Sequence, residues 1–193
     1  MTTTGVKSPV RHLRRVIIGL AASAAVVLGS SVLGAHSDND KILFMATQQE
    51  VAVGGEFRKF SADIEFNPSK PKAGKVTLVI DVASVATGSS EADDLLKDKE
   101  FFDAGRFPQA TFNSRSIDQS ATGQFQARGD FSLKGRTTEL IIPFTAGSEG
   151  SGLRLEGHFP ISRLAYKVGE GQWADTGTLA DQVEIKFSLH VPR

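Results

Sequence analysis

Cysteine is absent from all 193 residues. That absence removes disulfides, thiolate metal sites, nucleophilic thiols and cysteine-linked lipid anchors, so stability rests on packing and hydrogen bonds. Histidine is scarce, at four residues, and His158 and His190 fall on the polar parity of strand-like runs, which places them on the surface. No H-x-x-x-H spacing, G-x-S-x-G elbow or acid-rich calcium loop is present. A surplus of positive charge is also lacking. The chain carries 22 basic and 22 acidic residues, and the first 35 residues hold Lys7, Arg11, Arg14 and Arg15 but no acid. The remainder has 18 basic residues against 22 acidic, a net charge of −4, which argues against nucleic acid as a partner.

What is present begins with a leader pattern. Arg11, His12, Arg14 and Arg15 form a basic segment, residues 16–28 are apolar and uncharged, and small residues follow through Ser30, Ser31 and Gly34. This describes a secretory signal peptide over residues 1–37, with cleavage after Ala35 or Ser37, or else an uncleaved anchor. The expected organisation is leader 1–37 and one domain, 38–193. The globular part is expected outside the cytoplasm, in the periplasm.

From Lys41 onward the dominant period is two. Val183, Ile185, Phe187, Leu189 and Val191 alternate with polar residues, as do Phe60, Ala62, Ile64 and Phe66, then Val76, Leu78, Ile80 and Val82. Phe125, Ala127, Gly129, Phe131 and Leu133 repeat the pattern, and a tight turn at Lys134-Gly135-Arg136 leads into Thr138, Leu140, Ile142 and Phe144. Leu153, Leu155, Gly157, Phe159 and Ile161 continue it beyond a Gly/Ser loop at residues 147–152. With residues 42–47 and 110–117, the count is eight antiparallel strands, each with one apolar face. Their length favours an up-and-down barrel over a sandwich, wide enough for packed side chains or one slender ligand. Gly129 and Gly157, on the apolar faces, either bend the strands or leave room inside.

Residues 84–112, SVATGSSEADDLLKDKEFFDAGRFPQATF, interrupt the strands with a short helix. Ser90 and Asp93 fit a capping box before Leu95 and Leu96, and Glu91, Asp93 and Asp94 suit the positive end of the helix dipole. Phe101, Phe102 and Phe107 follow within seven residues, and Pro108 ends helical geometry. These rings either close an apolar interior or simply cover the end of a core. The carboxylates around the helix fit a solvated face better than an acid/base pair. Gly169-Glu170-Gly171-Gln172-Trp173-Ala174 matches a loose dinucleotide fingerprint without its strand-turn-helix frame. No enzyme and no cofactor is expected.

Three blocks carry a resemblance: SVATG with FFDAGRFPQATF, then FQARGDFSLKGRTTELIIPF, then FPISRLAYKVGEGQWADTGTLADQVEIKFSL. In this order they resemble the YceI-like family of lipocalin-fold periplasmic proteins across roughly residues 41–191. The N-terminal strand departs from the family's histidine-containing segment. The resemblance implies a lipocalin-like barrel that binds a long polyisoprenoid chain, of quinone or prenyl-phenol type, without catalysis. Expected wall residues are Phe60, Phe66, Ile80, Phe112, Phe125, Phe131, Phe144, Phe159 and Phe187. Phe101, Phe102 and Phe107 would gate one end. Trp173 and Arg163 are head-group candidates, Arg163 being equally a structural ion-pair partner for an acid such as Asp175. Transient contact with the membrane or a membrane redox protein is expected. The alternative is a filled barrel serving as a stress-response module that binds a protein.

Overall fold

The computed structural model describes residues 1–2 and 39–192. The expected leader falls almost wholly on residues 3–38, outside the described residues. The elements are β1 (Lys41–Gln48), β2 (Val51–Phe57), β3 (Phe60–Glu65), β4 (Lys75–Asp81), β5 (Val85–Ala86), α1 (Ser90–Lys97), β6 (Gln109–Ala121), β7 (Gln124–Leu133), β8 (Arg136–Glu149), β9 (Gly152–Ser162) and β10 (Gln182–Val191). Every strand pairing is antiparallel, in the order β3-β4-β6-β7-β8-β9-β10-β1-β2-β5. The fold is thus all-β with one helix, as the period-two pattern predicts.

The sheet curls because two stretches of chain serve twice. β3 continues β2 after Arg58 and Lys59, and β5 continues β4 after a 3-10 turn at Val82–Ser84. Arg58 N–H donates to Ser84 O at 3.2 Å and Asp81 N–H to Lys59 O at 3.0 Å, which carries the pairing across both breaks. The same two stretches therefore stand at both ends of the strand order.

The sheet has ten strand segments where the alternation predicts eight. β5, with two residues, is too short to show a period. β2 is hidden because Gly54 and Gly55 interrupt its alternation and because its turn lacks the usual signal. Gln49 and Glu50 form a two-residue turn with φ of 47° and 66°, left-handed geometry for which Asn-Gly is the common choice. The β7–β8 hairpin forms as expected on Lys134 and Gly135, with φ of 48° and 72°. β8 runs further than predicted, to Glu149, which shortens the expected 147–152 loop to a turn.

Antiparallel connection sets two ends. The upper end carries the β1–β2 and β7–β8 turns, residues 82–108 and the loop 163–181; the lower end carries the β3–β4, β6–β7 and β8–β9 turns. At Gly129 the bend reading holds. β6 bulges between Ser114 and Ser116, and a Cβ on Gly129 would meet Asn113 O at 2.3 Å, so the close approach excludes a side chain. In the lower half Phe112, Ile117, Phe125, Phe144, Leu153, Leu155 and Val191 form one buried cluster.

Candidate functional site

The upper end is covered by α1 and the segment leading from it to β6. Ser89 caps the helix, its Oγ accepting from Ala92 N–H at 3.4 Å, one residue earlier than the capping box predicts. Asp93 is engaged elsewhere. It accepts from the Thr87 hydroxyl and the Thr87 N–H, both at 2.7 Å, and the hydroxyl bond above all holds its carboxyl below the usual range. This ties α1 to the Ser-Val-Ala-Thr-Gly turn. After α1, Phe101 N–H donates to Asp98 O, and Asp103, at φ 50°, accepts Arg106 N–H and Phe107 N–H on its carbonyl. The chain then passes Pro108, whose carbonyl accepts from Val82 N–H.

Beneath this cover lies a cavity of about 500 Å³. Its wall is apolar apart from Gln48, Thr87, Ser89 and Arg163, with Trp173 among its aromatic residues. α1 turns Ala92, Leu95 and Leu96 onto it, and the inner faces of β1 and β2 supply Phe44, Ala46, Val53 and Phe57. Val53 is 38% exposed and Leu95 37%, so the opening lies between the β1–β2 hairpin and α1. Rings line the wall side by side. Phe44 and Phe57 are 5.7 Å apart, Phe57 and Phe102 5.8 Å, and Phe101 and Trp173 5.4 Å.

Of the residues singled out in the sequence, Ile80, Phe101, Phe102, Phe112, Phe131, Phe144, Phe159, Arg163, Trp173 and Phe187 stand on this wall. Four do not. Phe125 is 2% exposed and packs in the lower half against Phe144 at 5.5 Å and Phe66 at 5.0 Å, closing the cavity from below. Phe60 is buried in the core beside β4, outside the wall. Phe107 lies over the β7–β8 turn, where a Cβ on Gly135 would meet its ring at 2.8 Å, and Arg106 sits 5.2 Å above that ring. It gates nothing. Phe44 and Phe57 are wall residues that the pattern missed; the inward parity of β1 could have found Phe44, whereas Phe57 belongs to the hidden strand.

The loop 163–181 is held mostly by cations on carbonyls. Arg163, 3% exposed, donates from Nε to Ala180 O at 2.9 Å, from Nη1 to Val168 O and Gly169 O at 2.9 and 3.1 Å, and from Nη2 to Leu179 O at 2.5 Å. The expected pairing with Asp175 does not form. Asp175 instead accepts from Gly177 N–H and from Thr178 N–H and hydroxyl. Burial pulls the Arg163 guanidinium down from its ordinary value, and Asp181 partly opposes this. Lys134, also buried, donates to Lys167 O at 2.7 Å and to Glu170 Oε2 at 3.0 Å. That hydrogen bond holds the Glu170 carboxyl below the usual range. Gly169 N–H and Glu170 N–H donate to Glu100 O, joining the loop to the helix exit. Tyr166 hydrogen-bonds Thr138 from below.

The geometry is that of a lidded apolar receptacle. A UPF0312 protein of Shewanella oneidensis is 31% identical over 143 residues, 72% of this chain and 75% of that one. The crystal structure of Burkholderia cenocepacia BcnA matches with a TM-score of 0.77 at 36% identity, over 79% of this chain and 96% of that one. A polyisoprenoid-binding domain from Saccharophagus degradans shares the fold, with a TM-score of 0.63 at 18% identity, over 78% of this chain and 92% of that one. The YceI-like domain model matches residues 34–191, and the chain belongs to that family.

Proposed function

We propose that this protein binds a long-chain polyisoprenoid lipid, of isoprenoid quinone or prenyl-phenol type, in the cavity and shuttles it through the periplasm without catalysis. The observation that carries the reading is the apolar cavity of about 500 Å³ with its opening beside α1, within the ~300–1,000 Å³ typical of small-molecule sites. The likeness to a polyisoprenoid-binding domain supports lipid as the ligand class. In this reading the curled sheet works as a lipocalin-like barrel, open above and plugged below. The filled-scaffold alternative describes only the lower half.

The energetics favour exchange over trapping. Burying a tail from water gains about 0.8 kcal/mol per methylene, but the cargo starts in a bilayer where that gain is already realised. Net selectivity then rests on cavity shape and a few polar contacts. Native mass spectrometry of detergent-free protein from its host, followed by organic extraction, tests the reading. A one-to-one prenyl-containing species is expected. An apo mass that persists after incubation with quinone-loaded vesicles overturns it.

A further inference from the structure

The sheet is thinnest between β8 and β9. β8 pairs with β7 from Thr145 up to Arg136, and β9 pairs with β10 from Leu153 up to Ser162. Between themselves β8 and β9 pair only at the lower end, from Glu149 opposite Gly152 to Thr145 opposite Glu156. Above that point Arg136–Phe144 and Gly157–Ser162 share no register among the described residues. Two prolines account for the break. Continued register sets Pro143 opposite His158 and Pro160 opposite Ile141. Proline has no N–H, and both are paired on their other side, Pro143 with Gln126 and Pro160 with Glu184. Their missing donors therefore both face the seam. At its base the two strands still touch, for a Cβ on Gly157 would meet Pro143 O at 2.4 Å.

Side chains close what main-chain pairing leaves open. β9 runs into a 3-10 turn, Leu164–Tyr166, whose Tyr166 is 1% exposed, hydrogen-bonds Thr138 on β8 and stands edge-on to Phe131 at 5.3 Å. From the β7–β8 turn, Lys134 reaches Lys167 O and Glu170 beyond it. Apolar residues line the seam on both faces. Ile142 on β8 and Phe159 and Ile161 on β9 belong to the cavity wall, whereas Ile141, 46% exposed, Pro143 and Pro160 face outward. We propose that this seam is a side door: Tyr166 and its turn swing away from Thr138, β8 and β9 part above Thr145 and Glu156, and the cavity opens laterally. The proposal rests on the lipid-binding reading above. A prenyl tail is slender, and a slot between two strands admits it along its length, where the opening beside α1 takes it end first. Opening breaks a few side-chain bonds instead of a ladder. The same prolines guard the parted edges against pairing with another strand.

The absence of cysteine makes the door easy to lock. Ile141→Cys with Pro160→Cys places one pair across the seam, and Glu156→Cys with Ser188→Cys places a control across the intact β9–β10 ladder. Uptake of a tetraprenyl benzoquinone from phosphatidylcholine vesicles is followed by quenching of Trp173, the one tryptophan. The oxidised seam variant should take up the quinone about tenfold more slowly than its reduced form, with equilibrium affinity unchanged within about twofold, while the control shows no difference between its two forms. Pro143→Thr with Pro160→Thr, which returns both donors to the ladder, should slow uptake in the same direction without a crosslink. Unchanged rates in the seam variants overturn the proposal and leave lipid binding standing. Hydrogen exchange on the parent gives a reading that needs no ligand: the amides of Glu139 and Ile141, which face the seam, should exchange at least about tenfold faster than those of Leu140 and Ile142, which face β7. Equal protection overturns the proposal, since the seam would then be a closed ladder. A parent that takes up no quinone removes the lipid-binding reading and the door's function with it.

Discussion

The two halves of the sheet are built from the same alternating strands, yet the lower half is solid and the upper half hollow. Below, Phe66, Phe125 and Phe144 point at one another from neighbouring and opposing strands, with ring centroids 5.0 to 5.5 Å apart, and fill the space between the walls. Above, Phe44, Phe57, Phe102, Phe101 and Trp173 touch along the wall and leave the space between walls open. Aromatic content does not decide whether such an interior is filled. The direction in which the rings meet does.

The strongest way to break this contrast is to hollow the lower half. Phe125→Ala removes a fully buried ring and should cost about 3–5 kcal/mol, read as a lower urea midpoint. If the plug sets the depth of the cavity, the variant also takes up a longer prenyl chain than the parent does, measured by native mass spectrometry. A loss below about 1 kcal/mol would show that the lower cluster is not a packed core. Arg163→Met attacks the upper half at its anchor. Four backbone carbonyls lose a charged donor, and because the released loop can rehydrate, the cost should be about 3 kcal/mol, with faster hydrogen exchange confined to residues 163–181.

Smaller effects sharpen the same comparison. Replacing Gln49 by Asn together with Glu50 by Gly relieves two left-handed residues at the rim and should stabilise by about 1–2 kcal/mol. Phe159→Ala, on the wall of the cavity, should cost only about 1 kcal/mol, well below Phe125→Ala, while weakening uptake of a prenyl chain. Equal losses at Phe125 and Phe159 would erase the distinction between plug and wall. The smallest effect is on pH. The Lys134 hydrogen bond depresses the Glu170 carboxyl, so its stabilisation is full above the ordinary carboxylate range and disappears as pH falls through the depressed value. The melting temperature of the parent should exceed that of Glu170→Gln at about pH 7, and the gap should close in acid.

The strand pattern exposed most of the fold because alternation is local: two neighbouring residues suffice to show which face is apolar. It lost β2, whose turn uses Gln49 and Glu50 in place of Asn and Gly and whose middle is a glycine pair. It placed the helix but not its cap, since nothing local says that Asp93 is claimed by Thr87. For the site, ten of the fourteen residues singled out lie on the cavity wall. Phe60, Phe66 and Phe125 share the inward parity of true wall residues and lie off it, for parity carries no information on height along the sheet or on what stands opposite.

Local patterns of residues showed which side chains face inward, that a capped helix and an aromatic corner interrupt the strands, and which family the order of motifs resembles. Folding of the whole chain settles that Phe125 plugs while Phe159 lines, that Phe107 lies over a turn, and that Arg163 spends its donors on Val168, Gly169, Leu179 and Ala180. Facing in or out follows from the backbone period of one strand. Height and neighbours follow from strand register and from loops joined across the chain, as where Glu100 holds Gly169, which no local pattern encodes.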